Sequence, residues 1–250
     1  MERREKINAW LSHLRFIIYR GRLVKLPADF YRRYRQTLAR LRQGVGDWSV
    51  YREITYDVGS HPETSLDYEC AFATRQVRSL APRDILDIGS YRHFIIGLLA
   101  CHDLTTVDVR SRRGIVPQER VIVCDAKALT LPDASFDMVI SLCALEHFGL
   151  GRYGDQIDLE GDRKALAEMM RVLRPGGHLV MTIPVHAGRP AIAFNSHRVY
   201  TPELIKEMFA PLELVEEEVC DRRQERLKDP RLITADPQDW DVYMGCWRKP

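Results

Sequence analysis

Ile85-Leu86-Asp87-Ile88-Gly89-Ser90 is the stretch of sequence that predicts the fold. An apolar run ends in an acidic residue and a glycine, and a helical pattern follows, which is typical of a buried strand turning sharply into a helix. Nucleotides bind at such strand ends in α/β proteins. We therefore predict a nucleotide-type ligand close to Gly89.

A regular alternation of short apolar runs and helical patterns follows this stretch. Short buried strands that alternate with helices specify a parallel sheet covered on both faces. Near the end of the chain two apolar runs are separated by a polar loop, and an antiparallel pair at the sheet edge is the simpler interpretation. The predicted strands are 85–88, 104–109, 120–124, 136–142, 178–185, 212–219 and 240–247, and the predicted helices are 66–80, 94–101, 162 to the Pro175-Gly176-Gly177 stop, and 201–209.

Composition predicts one main domain with an appendage, because 250 residues of which 45% are hydrophobic can bury one substantial core. The six cysteines are scattered without a CxxC pair, which favours a reducing compartment. No apolar stretch approaches the roughly 18 residues of a spanning helix. We expect a cytoplasmic protein with a basic helical arm over residues 1–60 and the main α/β domain over residues 61–250.

The arm is strongly basic. Residues 1–43 hold 12 Lys and Arg against 3 Asp and Glu, whereas the rest of the chain has a net charge of −7. Apolar residues at helical spacing predict a second helix from about Ala28 to Arg42 and a first helix whose apolar stripe consists of Ile7, Trp10, Leu11, Leu14, Ile17 and Ile18. Two interpretations are open: the helices cap the main domain, or the arm contacts an anionic membrane surface or holds an anionic substrate. A short extended piece is expected around residues 50–56.

Three acidic residues each close a successive predicted strand. Gly89 permits close approach of the backbone to a ligand, and Asp108 follows 19 residues later, where a carboxylate can accept hydrogen bonds from both hydroxyls of a ribose. Asp125 and Ala126 come after the third strand, near the expected adenine edge. A single Asp after a strand is more typical of a turn or a helix cap, so the prediction depends on the ordered set.

The ordered set resembles the class I S-adenosylmethionine-dependent methyltransferases over about residues 66–220. This resemblance implies an α/β, Rossmann-like, mostly parallel sheet of seven strands whose last two form the antiparallel pair, with S-adenosylmethionine as the cofactor. Tyr91 and His93 stand where that family usually has further glycines, so Ser90 or Tyr91 is expected to contact the methionine part of the cofactor. The matching segments are 85–89, 107–108, 125–126, 131–137, 145–147 and 173–177. The cofactor-binding residues that the resemblance implies are Asp87, Gly89, Ser90, Tyr91, Asp108, Asp125, Ala126 and Leu142.

Two further segments, 146–155 and 194–200, resemble an uncharacterised branch of the same superfamily, whose members often accompany glycan-assembly enzymes. In that branch the Asp-Ile-Gly-Ser form of the loop is usual. Both segments follow strands at the edge where ligands bind, so we expect them to contact the acceptor. The candidate substrate-binding residues are Arg152, Tyr153, Asp155, Asn195 and Arg198.

His147 and His197 are the candidate catalytic residues. Methyl transfer to oxygen requires that a hydroxyl lose its proton, and a histidine with a pKa near neutrality can accept it. The arginines suit a carboxylate or phosphate, as in a uronic acid or a nucleotide sugar. The structural alternatives are that His147 caps the next segment and that Arg152 or Arg198 pairs with Asp155 or Glu146 to order the loop. A metal site formed by Glu146, His147 and His197 lacks firm ligand spacing.

The resulting prediction is methyl transfer from S-adenosylmethionine to a small acceptor, with oxygen favoured over nitrogen or carbon. One rival is a dinucleotide oxidoreductase, for which Arg110, Arg112 and Arg113 suggest a ribose phosphate site, but the GxGxxG pattern is absent after the first strand. A second rival is a non-catalytic protein that binds the cofactor or only keeps the fold. Nucleic acid binding is disfavoured, because the basic arm is joined to a net acidic remainder.

Overall fold

The computed structural model describes residues 7, 10, 11, 14–19, 22–44, 64–193, 196–223, 226–235 and 239–250. The chain divides into two compact units, Met1–Pro62 and Glu63–Pro250. Among the described residues, no helix is both long and apolar enough to cross a membrane. The extended piece expected around residues 50–56 and the candidate residue Asn195 lie outside the described residues.

The first unit contains a hairpin and a helix. Strand β1, Phe16–Tyr19, pairs antiparallel with β2, Arg22–Lys25, and helix α1 follows at Phe30–Gly44. The prediction that the first helix continues through Ile17 and Ile18 is therefore wrong, whereas Ile7, Trp10 and Leu11 are helical as predicted. Adjacent β-branched side chains favour extended backbone, and here they pair with a second apolar segment, with Ile17 opposite Val24 and Ile18 opposite Leu23. The predicted second helix is present, shifted by two residues.

The second unit alternates strands and helices as predicted. Its first helix begins after Thr64, whose backbone N–H donates to the Asp67 carboxylate at 3.0 Å in a capping box. The helices are α2 Ser65–Leu80, α3 Arg92–Leu98, α4 Gly161–Val172 and α5 Pro202–Met208. The strands are β3 Ile85–Ile88, β4 Leu104–Asp108, β5 Glu119–Val123, β6 Phe136–Leu142, β7 Leu173–Val185, β8 Ala191–Ala193, β9 His197–Val199, β10 Glu213–Asp221, β11 Arg226–Lys228 and β12 Asp241–Arg248.

The main sheet has the strand order β11-β10-β12-β7-β6-β3-β4-β5 in the part of the chain that the structure describes. Five neighbouring strands run parallel to one another, namely β7, β6, β3, β4 and β5. Strand β12 pairs antiparallel with β7, and β10 pairs antiparallel with β12. The predicted Rossmann-like architecture is thus confirmed. The short strand β11, which pairs with the end of β10, adds an eighth strand to the seven that were predicted.

The central strand β3 is buried along its whole length and contributes to a core on each face of the sheet. Leu86 and Ile88 belong to the core that contains Met169 of α4. Ile85 belongs to the opposite core, with Phe72 of α2. Since alternate side chains of a strand face opposite ways, Asp87 lies on the same side as Ile85.

Candidate functional site

A cleft of about 580 Å³ lies at the carboxyl ends of β3, β4, β5 and β6. The parallel strands end at this edge, and the turns that follow them form the walls. The cleft brings together seven of the residues predicted from the sequence. These are Gly89, Asp108, Asp125, Ala126, His147, Tyr153 and Asp155.

Gly89 forms the turn after β3. Its φ of +75° is a left-handed conformation that favours glycine, and its backbone N–H donates to the carbonyl oxygen of Val107 at 3.1 Å. A Cβ atom here would lie 3.0 Å from the Cβ of Ala144, which lines the same cleft. The turn therefore needs a residue without a side chain, and it exposes backbone to the cleft.

Asp87 is buried beside this turn. One carboxylate oxygen accepts a hydrogen bond from the backbone N–H of Ser90 at 3.3 Å, and the other is buried with no partner among the described residues. Burial raises the pKa of Asp87 to about 7. An unpaired buried acceptor at a ligand-binding turn is suited to a hydrogen-bond donor of a ligand.

Asp108 ends β4 and lines the cleft. Its carboxylate accepts hydrogen bonds from the Arg110 side chain at 2.9 and 2.7 Å and from the Arg110 backbone N–H at 2.9 Å. Burial opposes ionisation, but the hydrogen bonds from Arg110 outweigh it and lower the pKa of Asp108. The side chain is therefore a carboxylate at neutral pH, with acceptor capacity directed at the cleft rim.

Of the two residues predicted to contact the adenine, one is polar and partly exposed and the other is apolar and buried. Asp125 is partly exposed and accepts a hydrogen bond from the backbone N–H of Lys127 at 2.9 Å, whereas Ala126 is buried in the cleft wall. Val107 and Phe148 add apolar surface to the same cleft. This combination suits a flat base that needs one acceptor and an apolar face.

Hydrogen bonds within the protein involve three of the residues that were predicted to bind the cofactor, namely Ser90, Tyr91 and Leu142. The Ser90 hydroxyl accepts a hydrogen bond from the backbone N–H of Leu142 at 3.0 Å, which joins the turn after β3 to the end of β6. The Tyr91 phenol donates to Glu69 of α2 at 3.5 Å and packs against the α2 side of the core. None of these three side chains lines the cleft as described.

The loop after β6 is shaped by glycine and by Asp155. Gly149, Gly151 and Gly154 all have positive φ. The Asp155 carboxylate accepts hydrogen bonds from the backbone N–H groups of Gly149 at 3.0 Å, Gly151 at 3.3 Å and Tyr153 at 3.1 Å. Its observed contacts thus order the loop.

His147 lies in the cleft wall at the start of this loop. Its Nδ1 is within hydrogen-bond distance of the carbonyl oxygen of Ser196, and Arg152 Nη1 lies 3.2 Å from Nδ1 and 3.4 Å from Nε2. Burial, followed by the positive charge of Arg152, lowers the pKa of His147 to about 4. The expectation of a pKa near neutrality is therefore wrong, because the ring is largely buried. At neutral pH the imidazole is uncharged, and a proton on Nδ1 leaves the lone pair at Nε2.

His197 stands behind His147, with the two ring centroids 6.4 Å apart. Its Nδ1 lies 2.8 Å from the hydroxyl of Ser196, and its ring packs on Trp240 at 4.6 Å. Burial lowers the pKa of His197 as well. Among the residues that line the described cleft, His147 is present and His197 is not.

Arg198 was predicted to face the substrate, and that placement is wrong. Its guanidinium is buried and donates to the carbonyl oxygens of Phe148 at 2.7 Å and Leu159 at 3.2 Å, with Asp162 3.5 Å away. It thus connects β9 to the loop after β6 and to α4. The same loop exposes Arg152, which contacts the Tyr153 ring at 5.4 Å.

Two buried acids lie next to the cleft, and of these Glu69 was not predicted from the sequence. Glu69 accepts hydrogen bonds from Thr182 and from the thiol of Cys143 at 3.0 Å, and Cys143 lines the cleft. Glu146 lies 3.6 Å from His147 Nε2, and its other oxygen is buried without a partner in the described chain. The sequence has no signal for this pair, because Glu69 lies on α2, far from Glu146 along the chain. Within the described ranges, no group of three or more His, Cys, Asp and Glu is arranged to hold a metal ion.

Comparison with known sequences gives partial matches. A family model described as "Caenorhabditis protein of unknown function, DUF268" matches residues 123–232, which include the loop after β6 and strand β9. The chain is also 38% identical over 74 residues to the ubiquinone/menaquinone biosynthesis C-methyltransferase UbiE of Marinomonas sp. (strain MWYL1). That match covers 30% of this chain and 25% of the relative, so only a quarter of the curated relative's length is represented.

Comparison with solved structures supports the fold. The 1,6-didemethyltoxoflavin-N1-methyltransferase of Burkholderia thailandensis, solved with S-adenosylhomocysteine, is 18% identical with a TM-score of 0.55, over 94% of each chain. The N-methyltransferase NodS of Bradyrhizobium japonicum WM9, in complex with S-adenosylhomocysteine, is 17% identical with a TM-score of 0.52, over 86% of this chain and 98% of that one. The [4+2]-cyclase SpnF is 17% identical with a TM-score of 0.55, over 78% of this chain and 85% of that one. At these identities the likeness shows the fold.

Proposed function

We propose that this protein is an S-adenosylmethionine-dependent methyltransferase that methylates a small acceptor on oxygen, in the synthesis of a glycan or a related metabolite. The observation that supports it most directly is the cleft itself. Gly89, Asp108 and Asp125 close three neighbouring strands and face the same cavity as the neutral imidazole of His147. Methyltransferases of this fold, solved with S-adenosylhomocysteine, are among the structural relatives.

The residues of the cleft fit the cofactor. Gly89 offers backbone at close range, the Asp108 carboxylate accepts hydrogen bonds from ribose hydroxyls, and Asp125 with Ala126 accommodates the adenine. The unpartnered oxygen of Asp87 can accept from the amino group of the methionine part. When bound, S-adenosylmethionine supplies an electrophilic methyl group.

His147 is the proposed general base. A neutral imidazole whose Nδ1 proton is directed at the Ser196 carbonyl keeps Nε2 ready to accept the proton of an acceptor hydroxyl. His197, packed between His147 and Trp240, limits the positions that the His147 ring can adopt. Most of the rate enhancement is expected from alignment of the reacting atoms in the cleft.

The first experiment tests cofactor binding. Calorimetric titration with S-adenosylmethionine measures cofactor binding by the wild type and by Asp108→Asn, with Asp103→Asn, at an exposed position just before the same strand, as the control. We expect Asp108→Asn to weaken binding about tenfold, as for the loss of charge-assisted hydrogen bonds, and the control to bind like the wild type. Absence of binding to the wild type would refute the proposal.

Transfer of a labelled methyl group to a panel of hydroxylated acceptors then measures the reaction. His147→Gln is expected to lower kcat by about 10-fold to 100-fold, because the imidazole is unprotonated at neutral pH but its lowered pKa makes it a weak base. Binding without transfer to any acceptor would favour a non-catalytic role.

A further inference from the structure

The guanidinium of Arg152 lacks an acidic partner in the part of the chain that the structure describes. Its contacts are the imidazole of His147, the carbonyl oxygen of Ser196 at 3.3 Å and the ring of Tyr153. These groups satisfy some of its five N–H donors, and none of them carries a negative charge. The guanidinium of an arginine is positively charged. No carboxylate of the described residues forms an ion pair with that of Arg152.

The groups around Arg152 leave that charge in place. Burial lowers the pKa of His147 to about 4 and also lowers the pKa of His197, so both rings are largely neutral at pH 7. The buried carboxyl of Glu146 also interacts electrostatically with Arg152, but burial raises the pKa of Glu146 to about 8, so this group is largely protonated at pH 7. The Asp155 carboxylate on the same loop is directed at three backbone N–H groups. Arg152 is therefore a charged group beside the cleft whose described contacts are all with uncharged groups.

The position of Arg152 relates it to the cleft. The Tyr153 ring lines the cleft and lies between two guanidinium groups, with Arg110 4.6 Å and Arg152 5.4 Å from its centroid. Arg110 already forms an ion pair with Asp108 at 2.7 Å. Of these two cations, Arg152 is the one that remains for an incoming anion, and it adjoins the proposed base His147.

A second atom near Arg152 also has unused hydrogen-bonding capacity. Nε2 of His197 is buried and has no partner among the described residues, while Nδ1 of the same ring contacts the Ser196 hydroxyl. The ring is held against Trp240, whose indole in turn packs under Arg222 at 4.0 Å. This ring does not line the cleft, so His197 limits the position of the neighbouring His147 ring and is not itself proposed to contact the ligand.

We infer that the methyl acceptor is an anion whose carboxylate or phosphate group pairs with Arg152 while its hydroxyl lies at Nε2 of His147. This inference rests on the proposed function and specifies the class of its acceptor. The planar fork of a guanidinium binds two oxygens of such a group at once, which gives orientation as well as affinity. Arg152 Nη1 lies 3.4 Å from Nε2 of His147. When the guanidinium donates its hydrogen bonds to an anionic ligand instead, the lone pair on Nε2 is available to the hydroxyl of that ligand.

The test uses two matched pairs of probes that differ in one anionic group: D-glucuronate with D-glucose, and phenyl phosphate with phenol. The protein is first saturated with S-adenosylhomocysteine, and its affinity for that ligand is measured separately by calorimetry. Each probe is then titrated by saturation-transfer NMR into the wild type, Arg152→Gln, Arg152→Lys and Arg120→Gln. Arg120 is an exposed arginine on β5 and serves as the matched charge control.

We expect at least one anionic probe to bind the wild type about tenfold more tightly than its neutral partner. Arg152→Gln should abolish that preference, Arg152→Lys should retain part of it, and Arg120→Gln should leave it unchanged. Equal binding of both members of each pair, or a preference that survives in Arg152→Gln, would overturn the assignment. Failure to bind S-adenosylhomocysteine would instead refute the proposed function, and normal binding of that ligand by Arg152→Gln shows that the variant is folded.

Discussion

Replacement of Glu146 by glutamine should make the free energy of unfolding fall less steeply as the pH rises. Glu146 follows β6, is 2% exposed and has one carboxylate oxygen without a partner in the described chain. Burial is the main cause that raises its pKa to about 8, and the neighbouring Glu69 adds to it. The side chain is therefore protonated in the folded protein at neutral pH, whereas in the unfolded chain it is ionised.

The sign and size of the effect follow from this difference. Between the unfolded value of 4.5 and the folded value of about 8, the unfolded chain has released a proton that the folded protein still holds. The free energy of unfolding therefore falls as pH rises through this window and levels off above it. At about 1.4 kcal/mol per pH unit, Glu146 alone removes about 3 kcal/mol between pH 5 and pH 8. A glutamine cannot ionise, so this decrease in the free energy of unfolding is absent from the variant.

Urea unfolding of the wild type and of Glu146→Gln at about pH 5, 6, 7 and 8 measures the effect. We expect the difference in the free energy of unfolding to shift in favour of the variant by about 3 kcal/mol from the lowest to the highest pH. Glu203→Gln, at an exposed position of α5, provides the control and should run parallel to the wild type. Parallel curves for the wild type and Glu146→Gln would refute the argument that burial holds the proton on Glu146.

Two further predictions concern the loop that supports the site. Arg198→Gln should lower the free energy of unfolding by about 3 kcal/mol in urea, because it leaves buried carbonyl oxygens and the Asp162 carboxylate without their cationic partner. Gly149→Ala should strongly destabilise the loop, since its Cβ would lie 2.1 Å from the carbonyl oxygen of Asp158. Gly154→Ala is the matched control, because it has a similar positive φ with nothing within 4 Å of the Cβ, and it should cost about 1 kcal/mol by thermal unfolding. Equal melting temperatures for the two alanine variants would contradict this account.

The strands of the main sheet were the most predictable part of the fold. The bounds of β3 and β6 match the prediction, because a strand buried on both faces is a mostly apolar run bounded by turn residues. Prediction failed in the arm, where helical spacing through Ile17 and Ile18 competed with strand pairing. The apolar pattern suited both, and the contact with Leu23 and Val24 favoured the strand. Such pairing depends on a partner segment, which a periodicity within one helix does not reveal.

The candidate site shows the same limit at the level of single side chains. Gly89, Asp108 and Asp125 reach one cleft because the carboxyl ends of parallel strands meet at one edge, a consequence of topology alone. His197 and Arg198 were both expected at the site because their segment follows a strand at the edge where ligands bind. The structure makes it strand β9, in which neighbouring side chains point to opposite sides. Only one of the two can then face His147, and the fully buried position belongs to Arg198, whose guanidinium has carbonyl oxygens to pair with there. Arg152, on a glycine-rich loop without such alternation, is left as the cation for the acceptor.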